Sequence, residues 1–372
     1  MNLPLSIEQI ETPAAIINLT ALDKNIETMA SYYRNKKGAA LRPHQKGHRL
    51  PAIARKQLDA GAVGVCLTSL GLADLYVNCG INDMLITAAI CGDPKISRLV
   101  GLSKQADITV SVDNLENIRH LSEKARMSDT TINVAAELYT GSWGSPGVQL
   151  ENVKEFVRQI QKFSGVRFKG LWWHPGHLGD VKSFEERKRR EFEFMDSITR
   201  VRDEIEDDDI SVEMLSGGFT ATWNITPEFS RLNNVEVQAG SYVFSDWGSH
   251  LIEGLEVFDF ALTVLTRCIS RPTPTEAIFD SGMNSCSDES GEDYQRIVGP
   301  KFKDLVGIRR IYQREEVMQV VFENPNDTVR PGDLFELIPA HSDTTAKLHD
   351  LYYGVRDQKV EIVWENLGRG CF

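Results

Sequence analysis

Leu41-Arg42-Pro43-His44-Gln45-Lys46-Gly47-His48-Arg49 follows a short alternating run and precedes a helical pattern. It therefore sits where a strand hands over to a helix. Its one lysine, Lys46, is flanked by two histidines and two arginines. A cationic neighbourhood disfavours a charged ammonium, and burial does the same. A lysine that is neutral near pH 7 can attack an aldehyde and form a Schiff base. The nine residues also admit a plainer reading, a basic loop that caps a strand, and the wider chain decides between the two.

Working outward, the strand-then-helix couplet repeats. Ala14-Ala15-Ile16-Ile17-Asn18-Leu19 is a compact apolar run with the character of a buried strand, and residues 22–37 have helical spacing. Further strands are expected at 38–43, 63–68, 84–90, 107–113, 132–140, 166–174 and 211–216. Amphipathic helical patterns lie between them, at 51–60, 70–79, 94–105, 115–126, 151–163 and 183–205. Strands alternating with helices imply a parallel sheet. Seven or eight such units suit a (β/α)₈ barrel. An open doubly wound sheet is the alternative, but no Gly-rich dinucleotide fingerprint follows the first strand.

After Asp246 the rhythm changes. Strand-like runs follow one another at 258–269, 276–280, 307–313, 316–322, 334–338 and 359–364. Turn signals such as Arg271-Pro272-Thr273-Pro274 and Arg330-Pro331-Gly332 separate them. The expected fold class is α/β: a barrel over residues 20–250 and a C-terminal all-β domain over residues 251–372.

The totals set outer limits. A chain of 372 residues suits one large domain plus a smaller one, and 41% hydrophobic residues can fill a substantial core. A net charge of −12 argues against nucleic acid and anionic membranes as partners. The six cysteines form no C-x-x-C pair, and several lie in apolar runs, as reduced thiols of a cytoplasmic protein would. Met1-Asn2-Leu3-Pro4-Leu5 has no signal-peptide character, and no apolar run reaches the ~18 residues of a membrane helix.

Two glycine-bearing strand ends stand out. Ser216-Gly217-Gly218 and, one strand later, Gly240-Ser241-Tyr242 can aim backbone N–H groups at an anion. Loops after the last two barrel strands commonly grip phosphate. Farther on, His341 and Asp343 are two apart in a segment expected to be extended, where i and i+2 face one side. Imidazole and carboxylate can then converge on one divalent cation.

The R-P-H-x-K-x-H pattern, with Leu50-Pro51-Ala52-Ile53-Ala54 and Gly61-Ala62-Val63-Gly64-Val65-Cys66 after it, resembles the D-threonine aldolase and D-serine dehydratase family. These are pyridoxal phosphate (PLP) enzymes of the alanine-racemase type, fold type III. The resemblance implies that Lys46 holds PLP, with His44 beside the cofactor. It implies that Ser216, Gly217, Gly218, Gly240, Ser241 and Tyr242 form the phosphate cradle. It also joins residues 1–19 to the β domain and implies a homodimer with active sites at the subunit interface. P-x-H-x-D-x-T-x-x-L-H-D, starting at Pro339, is similar to the family's metal motif. There aldolases carry H-x-D and zinc-dependent dehydratases H-x-C. Asp343 as the second ligand favours Mn²⁺ or Mg²⁺ over Zn²⁺ more than a thiolate would.

The chain departs from the family in two places. The family's strand ending E-V/I-D/N-V-G precedes an arginine; here the stretch Glu137-Leu138-Tyr139-Thr140-Gly141-Ser142-Trp143-Gly144 has none. The family's Q-x-Y-x-G-H is here Trp172-Trp173-His174-Pro175-Gly176-His177. An imidazole replaces a phenol, which changes the acid–base chemistry available near neutral pH. His174 and His177 join Lys46 as catalytic candidates, and Trp143, Trp172, Trp173 and Trp223 are expected to line the substrate pocket.

The function expected is that of a PLP- and divalent-metal-dependent lyase acting on a small D-configured β-hydroxy-α-amino acid. Cα–Cβ cleavage to glycine and an aldehyde is the aldolase outcome. Loss of the β-hydroxyl from a D-serine or 3-hydroxyaspartate type of substrate is the dehydratase outcome. The alternatives are an amino-acid racemase, which needs a second base and no metal, and a non-catalytic PLP-binding or homeostasis protein, which has no β domain.

Overall fold

The computed structural model describes residues 5–142, 144–288 and 299–372, so Trp143 lies outside the described residues. The chain divides into two units. One comprises Thr28–Gly240 with Gly370–Phe372; the other comprises the segment up to Glu27 with Ser241–Arg369. Helix α1 (Leu19–Arg34) carries the chain from one into the other.

The first unit is built from short apolar strands, each followed by a helix. The strands are β1 (Ala39–Leu41), β2 (Val65–Leu67), β3 (Asp83–Ile86), β4 (Asp107–Val112), β5 (Ile132–Glu137), β6 (Val166–Trp172), β7 (Met214–Gly217) and β8 (Val235–Val237). Neighbours in sequence pair in parallel from β2 through β8, and β8 returns to β1 with Val237 opposite Leu41. The remaining seam, β1 to β2, is closed just beyond the strand ends. There His44 bridges Cys66, with Cys66 N–H donating to Pro43 O at 3.0 Å and Gln45 N–H to Cys66 O at 2.9 Å. The sheet is thus a closed (β/α)₈ barrel, and the doubly wound alternative is excluded. Cys66, Leu85, Ala135, Trp172 and Met214 cluster together, so the barrel is packed with side chains.

The helices that wrap it are α2 (Pro51–Asp59), α3 (Leu70–Asn78), α4 (Asp93–Ser103), α5 (Leu115–Met127), α6 (Val153–Ile160) and α7 (Phe184–Glu206). Their starts follow from local sequence. Pro51 opens α2, while Ser69, Asn114 and Ser183 accept backbone N–H groups at the starts of α3, α5 and α7. Helix α6 buries Val153, Phe156, Val157 and Ile160, one face at helical spacing.

The second unit is a ten-stranded sheet system. Its spine, Leu262–Thr273, pairs antiparallel with Ala14–Asn18, Glu276–Phe279 and Leu334–Ile338. One core gathers Phe279, Phe302, Met318, Phe322 and Leu337; another gathers Ile7, Ile16, Leu265, Tyr353 and Val360. The N-terminal strand belongs to this unit. Two elements differ from expectation. Leu351–Arg356 is an additional strand, and the segment bearing His341 and Asp343 is not extended but turns into a short helix, α8 (Ser342–Ala346). No described helix is long and apolar enough to cross a membrane.

Candidate active site and metal pair

Lys46 stands in the turn between β1 and α2, at the C-terminal ends of the barrel strands. Next to it, His44 Nδ1 accepts the Lys46 backbone N–H at 3.3 Å. A backbone N–H can only donate, so the ring proton of His44 is on Nε2. It points to Thr87 Oγ1 at 3.1 Å, whose own hydroxyl donates to Leu67 O. His44 is therefore a neutral brace spanning the ends of β1, β2 and β3.

The cationic surroundings expected for Lys46 are largely spent elsewhere. Buried Arg42 donates Nε and Nη2 to Glu236 at 2.7 and 2.9 Å and Nη1 to Asp83 at 2.5 Å. His48 Nδ1 accepts the Leu50 N–H, so it too is anchored in the backbone. Arg49 donates to the Lys46 carbonyl at 3.4 Å and lies over the Phe372 ring.

His174 follows β6. Burial, then the charge of nearby Lys46 and of His177, brings its pKa down from 6.5 to about 4. It is a neutral imidazole at pH 7, set edge-on to Phe219. His177 is half-buried, and burial lowers its pKa also, helped by Arg190 and opposed by Asp180. Ser142 Oγ lies 2.8 Å from His177 Nδ1 and accepts the His177 backbone N–H, while Thr140 Oγ1 donates to the His174 carbonyl. Sequence reasoning missed Thr140 and Ser142. The signal was there: two hydroxyl residues occupy the loop from which the family's arginine is gone. Glu137, at the end of β5, accepts from Ser111, and burial pushes its carboxyl up to about 7.

The glycines of the expected cradle have packing reasons of their own. A Cβ on Gly217 would strike the Trp173 indole at 2.2 Å, and one on Gly240 would strike the His44 carbonyl at 2.5 Å. Gly218 has φ +70°, a backbone conformation open to glycine and strained for other residues. Ser216 Oγ accepts Gln238 Nε2 at 3.0 Å, and Gly240 N–H donates to Thr220 Oγ1. Ser241 and Tyr242 open the other unit in a single turn, where Tyr242 is buried against Phe258. Of the four tryptophans expected to line the pocket, the three described ones, Trp172, Trp173 and Trp223, are buried. Trp172 fills the barrel and donates to Ser111, Trp173 backs Gly217, and Trp223 packs on Tyr32.

In the β unit, His341 is extended (φ −140°, ψ 119°) and immediately precedes α8, in which Asp343 is the second residue. The turn is made by a distant carboxylate. Buried Asp246 accepts Ser342 N–H at 2.9 Å and Ser342 Oγ–H at 3.0 Å. Thr344 Oγ1 lies 2.8 Å from Ser287 Oγ, 3.2 Å from the His341 carbonyl and 3.3 Å from His341 Nδ1. When Nδ1 donates to that hydroxyl, Nε2 is left with its lone pair. His341 Nε2 faces Asp343 Oδ2 at 3.9 Å, and the Asp343 side chain is buried. A ring nitrogen and a buried carboxylate facing each other fit a divalent cation. His349 donates Nε2–H to Ser285 O, a structural role. Among the described residues no cluster of three or more His, Cys, Asp or Glu is suited to a metal.

Comparison with known proteins agrees with this architecture. Residues 17–246 match the alanine racemase N-terminal domain family, and residues 261–355 match the serine dehydratase domain. The chain is 30% identical to a 3-hydroxy-D-aspartate aldolase of Paracoccus denitrificans (strain Pd 1222), covering 97% of this chain and 93% of that one. It is 30% identical to a D-threonine aldolase of an Arthrobacter species, over 98% of this chain and 94% of the other. The crystal structure of D-threonine aldolase from Filomicrobium marinum superposes with a TM-score of 0.93 at 29% identity, over 100% of this chain and 98% of that one. The barrel with its strand-end lysine defines a fold type III, alanine-racemase-like PLP enzyme. Within that class the chain belongs to the family of D-threonine aldolase and D-serine dehydratase, and it is a PLP-dependent lyase.

Proposed function

We propose that this lyase cleaves D-configured β-hydroxy-α-amino acids to glycine and an aldehyde, with PLP on Lys46 and a divalent cation on His341 and Asp343. The observation that carries the reading is the paired chemistry. A strand-end lysine lies beside a neutral imidazole, and a second imidazole faces a buried carboxylate across 3.9 Å. PLP, when bound, draws electrons from the substrate Cα. Lys46 would supply the amine that holds the cofactor and, once Cβ has left as the aldehyde, would return a proton to Cα. His44 holds the Lys46 turn in register through its Nδ1, and the strand ends through Nε2–H. The loops at Gly217-Gly218 and Gly240 hold the phosphate. His174, neutral at working pH, can take a proton where the family tyrosine would give one. His341 and Asp343 would hold the cation, which would supply charge stabilisation at the β-oxygen.

The deciding experiment is product analysis with D-threonine, D-phenylserine, D-serine and D-3-hydroxyaspartate, with and without chelator. Glycine plus aldehyde, lost on chelation, is the expected result. A keto acid and ammonia would assign the dehydratase reaction, and a rate untouched by chelation would remove the metal from the mechanism. The working form is proposed to be a homodimer in the cytoplasm. Light scattering that returns a fully active monomer would overturn the assembly.

A further inference from the structure

Helix α7 grips the loop after β7 at two points one turn apart. Arg187, buried, donates Nε to the Ala221 carbonyl at 2.8 Å and Nη1 to the carbonyls of Val181 and Lys182 at 2.8 and 3.1 Å. Four residues on, on the same helix face, Glu191 is fully buried, and its Oε1 lies 2.8 Å from Thr226 Oγ1. From Thr226 the contacts run back toward the glycines. Thr226 Oγ1 lies 3.0 Å from Thr222 Oγ1, and Thr222 Oγ1 accepts the Phe219 backbone N–H at 3.2 Å. Both hydroxyls press on Gly218: a Cβ there would meet Thr226 Oγ1 at 2.9 Å and Thr222 Oγ1 at 3.0 Å.

As packing, a carboxyl is a poor choice at position 191. Its Oε2 has no hydrogen-bond partner among the described residues. A buried acid with one hydrogen bond is worse for stability than an apolar side chain of similar size. Burial also pushes its pKa up to about 7, opposed by the Thr226 contact, so below neutral pH the group is an uncharged acid. What Glu191 contributes is an acceptor, Oε1, at the place where the Thr226 hydroxyl meets it. The relay from Glu191 through Thr226 and Thr222 ends on the backbone of Gly218-Phe219, the turn with φ +70° in the expected phosphate cradle. Backbone N–H groups bind an anion well only when their loop is held still. Phe219 also sets its ring edge-on to His174, so the same relay fixes that neighbour.

We infer that Glu191 is a positioning residue for the cofactor phosphate, acting through Thr226 and Thr222 on the Gly218-Phe219 turn and touching neither cofactor nor substrate. The inference rests on the reading above in which Gly217-Gly218 holds the phosphate, and not on which bond the enzyme breaks. Leucine at 191 leaves the pair of hydroxyls without their end acceptor. Glutamine keeps a carbonyl oxygen in the same place and restores it.

The test titrates the full chain, freed of cofactor and held slightly below neutral pH, with PLP and with pyridoxal, which lacks the phosphate. Dissociation constants are read from the visible absorbance. In Glu191→Leu and in Thr226→Val, PLP binding should weaken by about tenfold or more, while pyridoxal binding stays within about twofold of wild type. Glu191→Gln should bind both as the wild type does. PLP affinity within about twofold of wild type in both Glu191→Leu and Thr226→Val overturns the inference. An equal loss for PLP and pyridoxal also overturns it, since Glu191 would then support the fold at large. A Glu191→Gln variant as weak as Glu191→Leu does the same. If Glu191→Leu does not fold, Thr226→Val decides alone. A wild type that binds pyridoxal as tightly as PLP would show instead that the cradle reading has failed, and the inference falls with it.

Discussion

His44 and His341 are the same residue in different settings. In the barrel, a backbone N–H occupies Nδ1, and the proton sits on Nε2. In the β unit, Nδ1 lies 3.3 Å from a threonine hydroxyl, and Nε2 faces the Asp343 carboxylate. The first arrangement uses up both nitrogens and makes a strut. The second presents a ligand toward Asp343. What separates them is one neighbour apiece: the main chain two residues on for His44, and Thr344 three residues on for His341. Histidine's role is thus set by what holds its other nitrogen.

The largest break in this comparison is at Lys46. Lys46→Ala should cut turnover by on the order of 10³-fold or more, and borohydride should no longer fix the cofactor covalently. In the wild type the reduced cofactor should be found on Lys46, and its appearance on another lysine would sink the assignment. Asp343→Ala comes next. Turnover should drop by roughly 10²–10³-fold, several kcal/mol of lost charge stabilisation, while the bound cofactor's visible absorbance persists. Parallel loss of cofactor and metal would show that the two sites are not separable.

Thr344→Val tests the tautomer directly. Removing the acceptor for His341 Nδ1–H should weaken metal binding by about 10–100-fold in a Mn²⁺ titration. Thr87→Val removes the partner of His44 instead and should leave the metal titration where it was.

His174 gives the smallest effect and extends the contrast to a third histidine. Its folded pKa, about 4, is below the ordinary 6.5, so between those values the unfolded chain binds the extra proton. Stability should therefore fall as pH drops from 6.5 to 4, by up to about 1.4 kcal/mol per unit, and level off below. His174→Gln should flatten that slope in urea melts across the same window. An unchanged slope would mean that the ring is not kept neutral.

The barrel was legible because its signals are local. Apolar strand runs, helix caps such as Asn114 and the turn at Lys46 are each written within a few residues. The β unit was legible in its spine, Leu262–Thr273, and in Leu334–Ile338. Helix α8 was not, because the carboxylate that caps it comes from Asp246, 96 positions away. His341 and Asp343 do not share a strand face at i and i+2; they meet across the helix start instead. Arg42 misled for a similar reason: its neutralising partners Glu236 and Asp83 lie 194 and 41 positions off. Trp172, Trp173 and Trp223, read as pocket walls, are buried, since large aromatic surface is as useful inside a barrel as around a ligand.

The seam at His44 and Cys66 has a consequence for biosynthesis. Strand β1, which leads into the Lys46 turn, takes β8 as its other neighbour, and β8 lies nearly two hundred residues downstream. At about 5–20 residues per second, a ribosome needs roughly 10–40 s to travel from Leu41 to Val237. For that interval the reactive lysine exists on a strand that has no partner on one side. The glycine loop that abuts His44 has not yet been made. A nascent chain supplied with pyridoxal phosphate should therefore acquire it late, only once the segment through Gly240 has left the exit tunnel and the cylinder can close.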